Sequence, residues 1–145
     1  MKPNDEGRPF LTRAESEIMK LLWARRSATV HEVIEDLDRP LAYTTVLSVL
    51  RLLEQKGYLS HQLSPGGGRA HVYRPIVNQE GARRSHLRDL VDRLFGGQRD
   101  ELMIGMLRDE RWSRAELEKL RDEIEARLLA KKAGQGTNDS KRGSR

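Results

Sequence analysis

The side chains that could do chemistry in this 145-residue chain fall into two short clusters. One is Tyr43, Thr44, Thr45, Leu47, Ser48 and Arg51; the other is Arg69 and His71, just after Gly66-Gly67-Gly68. Hydroxyls donate and accept hydrogen bonds, a guanidinium forks onto guanine or phosphate, and a leucine offers an apolar surface to a thymine methyl. Three glycines let a backbone come close to a phosphate, and Arg69 beside them can pair a phosphate or enter a minor groove. Such groups grip duplex DNA. On an isolated helix, the same face would be an ordinary solvent face.

Catalysis is not expected. There is no G-x-S-x-G, Walker loop or dinucleotide fingerprint, and no cysteine to act as nucleophile or thiolate ligand. The four histidines, His31, His61, His71 and His86, are spread along the chain. His31 and Glu35 stand four apart, which reads as a surface ion pair before it reads as a metal site. No cofactor and no metal are expected.

The elements that must hold these groups follow from periodicity and caps. Thr12-Arg13-Ala14-Glu15 is a capping box, and Ala14, Ile18, Leu21 and Leu22 continue it as a helix over roughly 13–25. Thr29-Val30-His31-Glu32 is a second box; it opens a short helix with Val30, Val33, Ile34 and Leu37 on one face, stopped by Pro40. Thr12 and Thr29, at these helix starts, are counted with the DNA-facing set. A third helix begins near Ala42–Thr44, buries Val46, Val49, Leu50 and Leu53, and ends at Gly57 in a left-handed cap. The period then changes to two. Leu59, His61 and Leu63 alternate with polar neighbours, a loose turn runs through Ser64 to Gly68, and 69–74 returns as a strand ended by Pro75. Three helices and one glycine-tipped hairpin are the order of a winged helix-turn-helix, expected over 10–77.

The remainder is read as helical and apolar on one face. Helices are expected at 79–95, 101–108 and, from the capping box Ser113-Arg114-Ala115-Glu116, at 114–130. Leu87, Leu90, Val91, Leu94, Leu102, Leu117, Leu120, Ile124 and Leu128 are more apolar surface than so short a segment can bury against itself. A helical dimerisation domain over 78–130, closed by a second copy, is the expectation. Residues 131–145 are expected to be a disordered tail, basic through Lys131, Lys132, Lys141, Arg142 and Arg145. Trp23 and Trp112 read as core or domain-seam residues.

Composition agrees with a charged, mainly α protein over a modest core. Hydrophobic residues are 37%, charged residues 34%, and the net charge is +5. The excess of positive charge lies in the tail and between 40 and 75, which suits an anionic partner. No apolar run is long enough to span a membrane, and residues 1–9 lack the apolar stretch of a signal peptide, so a cytoplasmic protein without membrane insertion is expected.

Leu11-Thr12-x-Ala14-Glu15, Leu21-Leu22-Trp23, and Ala42-Tyr43-Thr44-Thr45-Val46 through Leu53-x-x-Lys56-Gly57-Tyr58-Leu59 resemble the penicillinase-repressor family, the BlaI/MecI/CopY group. The likeness continues through Leu94-Phe95-Gly96-Gly97 and Glu116-Leu117-x-x-Leu120, and covers roughly residues 10–130. It implies a winged-helix DNA-binding domain, a three-helix dimerisation domain and repression by occupying an inverted-repeat operator. In members whose genes accompany a membrane sensor protease, it implies release by cleavage, here at Gly105–Met106, where some members carry Asn-Phe. Leu52 stands where members usually carry an arginine, with Arg51 one position earlier. The copper-responsive branch uses a cysteine-rich tail, which this chain lacks. Two other readings fit the same elements: a MarR-like ligand-responsive winged helix, and a winged helix serving only as a protein-interaction adaptor.

Overall fold

A computed structural model describes residues 8–142 apart from Glu110, with side-chain surroundings as far as residue 135. In chain order its elements are α1 (Arg13–Arg25), α2 (Val30–Asp36), α3 (Tyr43–Gln55), β1 (Leu59–Leu63), β2 (His71–Pro75), α4 (Gln79–Leu94), α5 (Arg99–Asp109) and α6 (Arg114–Arg142). Thr12 and Thr29 each accept from the backbone N–H of the glutamate three residues on, and each glutamate reaches back to the capping residue's N–H. These boxes satisfy donors that the first helical turn would otherwise leave bare. The start of α3 has no such help: Ala42 caps it without a side-chain hydrogen bond. Its end is marked by Gly57 at φ +86°, the left-handed conformation that suits glycine.

The three helices pack their apolar stripes together. Ile18, Met19 and Leu22 from α1, Val30 and Val33 from α2, and Val46, Leu50 and Leu53 from α3 form one core with Tyr58, Leu59 and Tyr73 of the hairpin. β1 and β2 pair antiparallel, with Leu59 opposite Pro75 and Leu63 opposite His71. This is the winged helix-turn-helix that the sequence predicts. The returning strand starts at His71, not Arg69: Ala70 still accepts from the Ser64 N–H, but Arg69 lies in the turn. A further pairing was not legible in the sequence. Ala28 and Tyr73 exchange both backbone hydrogen bonds, at 3.0 and 2.9 Å, tying the α1–α2 connection to the hairpin.

The N-terminal compact unit extends to Gln98 and so includes α4, whereas the sequence reading puts 78–130 together. The segment before α1 makes this attachment. Tyr58 Oη donates to Pro9 O at 2.7 Å, the Leu11 N–H donates to His86 Nε2 at 3.1 Å, and Phe10 meets the His86 ring edge-on while Arg93 lies over its face. Trp23 Nε1–H donates to Val77 O at 2.7 Å, fixing the chain where it leaves the wing. Ala82 joins the core and Val91 is buried within the chain, so Val91 does not lie on a free face for a second copy.

In the second unit, Ser113 and Glu116 close the expected capping box at the start of α6. The helix then passes Ala130, where the sequence reading ends it, and continues through Lys131 and Lys132 to Arg142. The segment expected to be disordered is thus helical as far as Arg142; no proline intervenes, and Gly134 and Gly136 each cost about 1 kcal/mol against alanine in a helix interior. No helix among the described residues is long and apolar enough to cross a membrane.

Candidate nucleic-acid interface

The core fixes which side of α3 faces out. With Val46, Leu50 and Leu53 turned inward, Tyr43, Thr44, Thr45, Ser48 and Arg51 are exposed and Leu47 is half-buried at the margin. The expected base-reading residues therefore share one accessible helical face. Ser48 Oγ donates to Thr44 O at 2.8 Å, so its proton is used within the helix and its oxygen remains as acceptor.

The wing adds to this face. A cleft of about 150 Å³ is lined by Thr29, His31, Tyr43, Leu47, Arg51, Arg69 and His71, with Val30 and Ala70. Six of the ten residues singled out from the sequence thus meet in one place, brought from the start of α2, from α3 and from the hairpin. Thr44, Thr45 and Ser48 lie on α3 outside the lining. Thr12 is not part of it: it caps α1, its hydroxyl oxygen accepting from Glu15. Thr29 also caps a helix, but through its oxygen, which leaves the hydroxyl proton to donate.

The cleft holds two arginines that are not tied up in ion pairs, unlike two others of the same unit. Arg25 is tied to Asp36 at 2.8 Å and Glu32 at 3.2 Å, and Arg39 to Glu17 at 3.2 Å. Arg25 is thereby held above its ordinary range, chiefly by its hydrogen bond to Asp36. Arg51 and Arg69 have no ion-pair partner among the described residues, so two guanidinium groups face solvent with their donors uncommitted. A phosphate offers the paired acceptor oxygens that a planar guanidinium fork matches.

Sequence reasoning missed His31 and His61. His31 lines the cleft with its ring 5.0 Å from Tyr43. His61 stacks on His71 at 4.6 Å and 13° between planes, and its Nδ1 lies 2.7 and 2.8 Å from the two oxygens of Glu54. Period-two alternation puts both histidines on one face of the hairpin. Their diagonal placement needs the strand register, which a loose seven-residue turn leaves open. Burial raises the Tyr73 phenol beside them, and Glu54 adds to the shift.

The residues expected to pair with a second copy are divided between α4 of the first unit and α5 and α6 of the second. Leu117, Ile124 and Leu128 of α6 are exposed and Leu120 is half-buried; in α4, Leu87 and Leu94 are exposed and Leu90 is half-buried; Leu102 of α5 is half-buried. Gly105 and Met106 sit inside α5.

A family model described as penicillinase repressor matches residues 11–126. The chain is 26% identical over 126 residues to a penicillinase repressor of Bacillus licheniformis, covering 86% of this chain and 96% of that protein. It is 20% identical over 114 residues to the methicillin resistance regulatory protein MecI of Mammaliicoccus sciuri, covering 77% and 90%. Among solved structures, monomeric BlaI of Bacillus licheniformis in complex with the blaP half-operator matches with a TM-score of 0.44 and 31% identity, covering 52% of this chain and 92% of that one.

Proposed function

The chain belongs to the penicillinase repressor family, and on that premise we propose that it is a transcriptional repressor that grips operator DNA with α3 and the wing, two copies at a time. The observation that carries this reading is the cleft where Arg51 and Arg69, both unpaired, meet the exposed start of α3. A major groove takes one helix with its N-terminal residues toward the base edges. Thr44 and Ser48 stand there to read sequence, while Arg69 addresses the backbone. The exposed leucines and Ile124 of α4 and α6 support pairing with a second copy. Two linked wings make the second contact effectively intramolecular, so the operator is an inverted repeat with half-sites about 10 bp apart or a multiple of that.

Release by a membrane sensor protease is part of the same proposal. A cut at Gly105–Met106 would divide α5, whose interior glycine makes that turn easier to open. The test of the DNA reading is binding to duplexes across a salt series. Arg69→Ala should weaken binding to all sequences alike and flatten the log–log salt slope by about one unit for the contact removed. Unchanged affinity and slope would take the wing off the DNA.

A further inference from the structure

The stacked histidines at the base of the wing are built into three elements. His61 comes from β1 and His71 from β2, diagonal to one another across the ladder, since His61 lies opposite Tyr73 and His71 opposite Leu63. Glu54 comes from the last turn of α3 and closes both oxygens on His61 Nδ1. A carboxylate only accepts, so Nδ1 carries a proton, and the His61 ring is held in one orientation. His71 is laid flat against that ring and lines the cleft.

The charges around the pair are arranged unequally. On the His61 side stands Glu54 of α3, while the Tyr73 ring of β2 lies 5.7 Å from His61 and 6.5 Å from His71. On the His71 side stand Arg51 and Tyr43 of α3, Arg69 of the turn and His31 of α2. One end of the stack is therefore carboxylate-bound and the other opens among uncommitted cations.

We propose that this pair is a proton-linked contact for the DNA backbone: His71 takes up a proton as a phosphate enters the cleft, and His61, anchored on Glu54, is the positioning residue that holds its ring there. The proposal rests on the reading of the cleft as a DNA surface. A phosphate brings negative charge and acceptor oxygens to the His71 end, which favours the imidazolium in the complex over that in the free protein. The cation then has two N–H donors where the neutral ring has one. An ordinary imidazole changes charge near pH 6.5, so the linkage falls in a range a cell visits. Binding of the repressor to DNA would tighten as pH falls.

The experiment measures the affinity of the full chain for a short random-sequence duplex at fixed salt, from about pH 8 to about pH 5.5, spanning the imidazole range. The affinity of the wild type should rise on acidification, by at most about tenfold per pH unit for one proton taken up. His71→Gln should flatten the profile, His61→Gln should make it shallower, and His86→Gln, at a histidine outside the cleft lining, should keep the wild-type slope. In ring-proton NMR titrations, His71 should gain its proton at higher pH with duplex than without it. A pH-independent affinity in a wild type that does bind, or a wild-type slope in His71→Gln, overturns the proton linkage and leaves the DNA reading standing. Loss of the slope in His86→Gln alone reassigns the proton and overturns it too. A wild type that binds no duplex at any pH removes the DNA reading, and the linkage with it.

Discussion

The N-terminal unit closes Ile18, Met19, Leu22, Val33, Val46, Leu50, Leu53 and two tyrosines away from water, whereas no described side chain of α5 or α6 is buried. Both stretches have amphipathic helical patterns, and both are capped by the same Ser/Thr-x-x-Glu device. The difference lies in partners. In the first, three helices and a hairpin present apolar faces to one another. In the second, two helices have nothing within the described chain to cover Ile124, 52% exposed, or Leu128, 62% exposed. A periodic stripe states that a face wants burial, and leaves open whether the cover comes from the same chain or from another.

The largest expected effect sharpens this contrast from the packed side. Leu50 is fully buried between α3 and the rest of the core. Leu50→Ala should lower unfolding stability by about 2–5 kcal/mol, the lost transfer energy plus the cavity left behind. Denaturant unfolding would measure it, and a loss under about 1 kcal/mol would mean that this core is far looser than its burial indicates.

A smaller effect concerns the buried charge beside that core, Glu15, the one such residue among those described. Glu15 is 3% exposed and accepts from Lys56 Nζ at 2.7 Å and from the Thr12 N–H at 3.1 Å. Burial pushes its carboxyl up, but the hydrogen bonds from Lys56 and Thr12 and the Lys56 charge outweigh it, so the folded-state value lies below the ordinary one. Its contribution is therefore complete above the unfolded carboxyl's titration, about pH 4.3, and is lost as pH falls through the lower folded value. Lys56→Met should cost about 1.5–3 kcal/mol at neutral pH, the range for a hydrogen bond to a charged group. With Lys56 gone, only Thr12 still opposes burial, so the folded carboxyl should rise and the acid-unfolding midpoint should move to higher pH. A midpoint that stays put or moves down would mean that Lys56 does not hold this carboxylate.

Much of the N-terminal unit was legible because its signals are local. The boxes at Thr12 and Thr29, the stripes of α1 to α3 and the left-handed Gly57 depend on residues within one or two turns. The Ala28–Tyr73 bridge was not legible, since a single paired residue has no period. Nor was the attachment of α4, which hangs on Pro9, Phe10 and Leu11 reaching Tyr58 and His86 some 50 to 75 residues away. Without that tie, the end of the wing at Pro75 looked like a domain boundary. In the site, the types of Arg51, Arg69 and His71 were legible, but their meeting in one cleft depends on the hairpin register, and the same register puts His61 on His71. The length of α6 was not legible because residues beyond Ala130 lose the apolar stripe, so periodicity no longer marks a helix, yet the helix continues to Arg142.

The smallest expected effect on the fold is the one that tests the contrast most directly. Ile124 lies mid-way along α6, on the stripe it shares with Leu117, Leu120 and Leu128. Within one chain it covers little, so Ile124→Arg should change the unfolding of the N-terminal unit by no more than about 0.5 kcal/mol, as for a surface site without special features. If a second copy covers that stripe, the same change buries an unpaired guanidinium in an apolar interface, which is costly unless the interface opens. Sedimentation velocity should then show the wild type as a dimer and Ile124→Arg shifted to monomer, with the helix content nearly unchanged. Operator affinity should fall with it by about 100-fold, since the second half-site contact is no longer intramolecular. A wild type that sediments as monomer, or a variant that stays dimeric, would place the cover of α6 elsewhere and leave the exposed stripe unexplained by self-association.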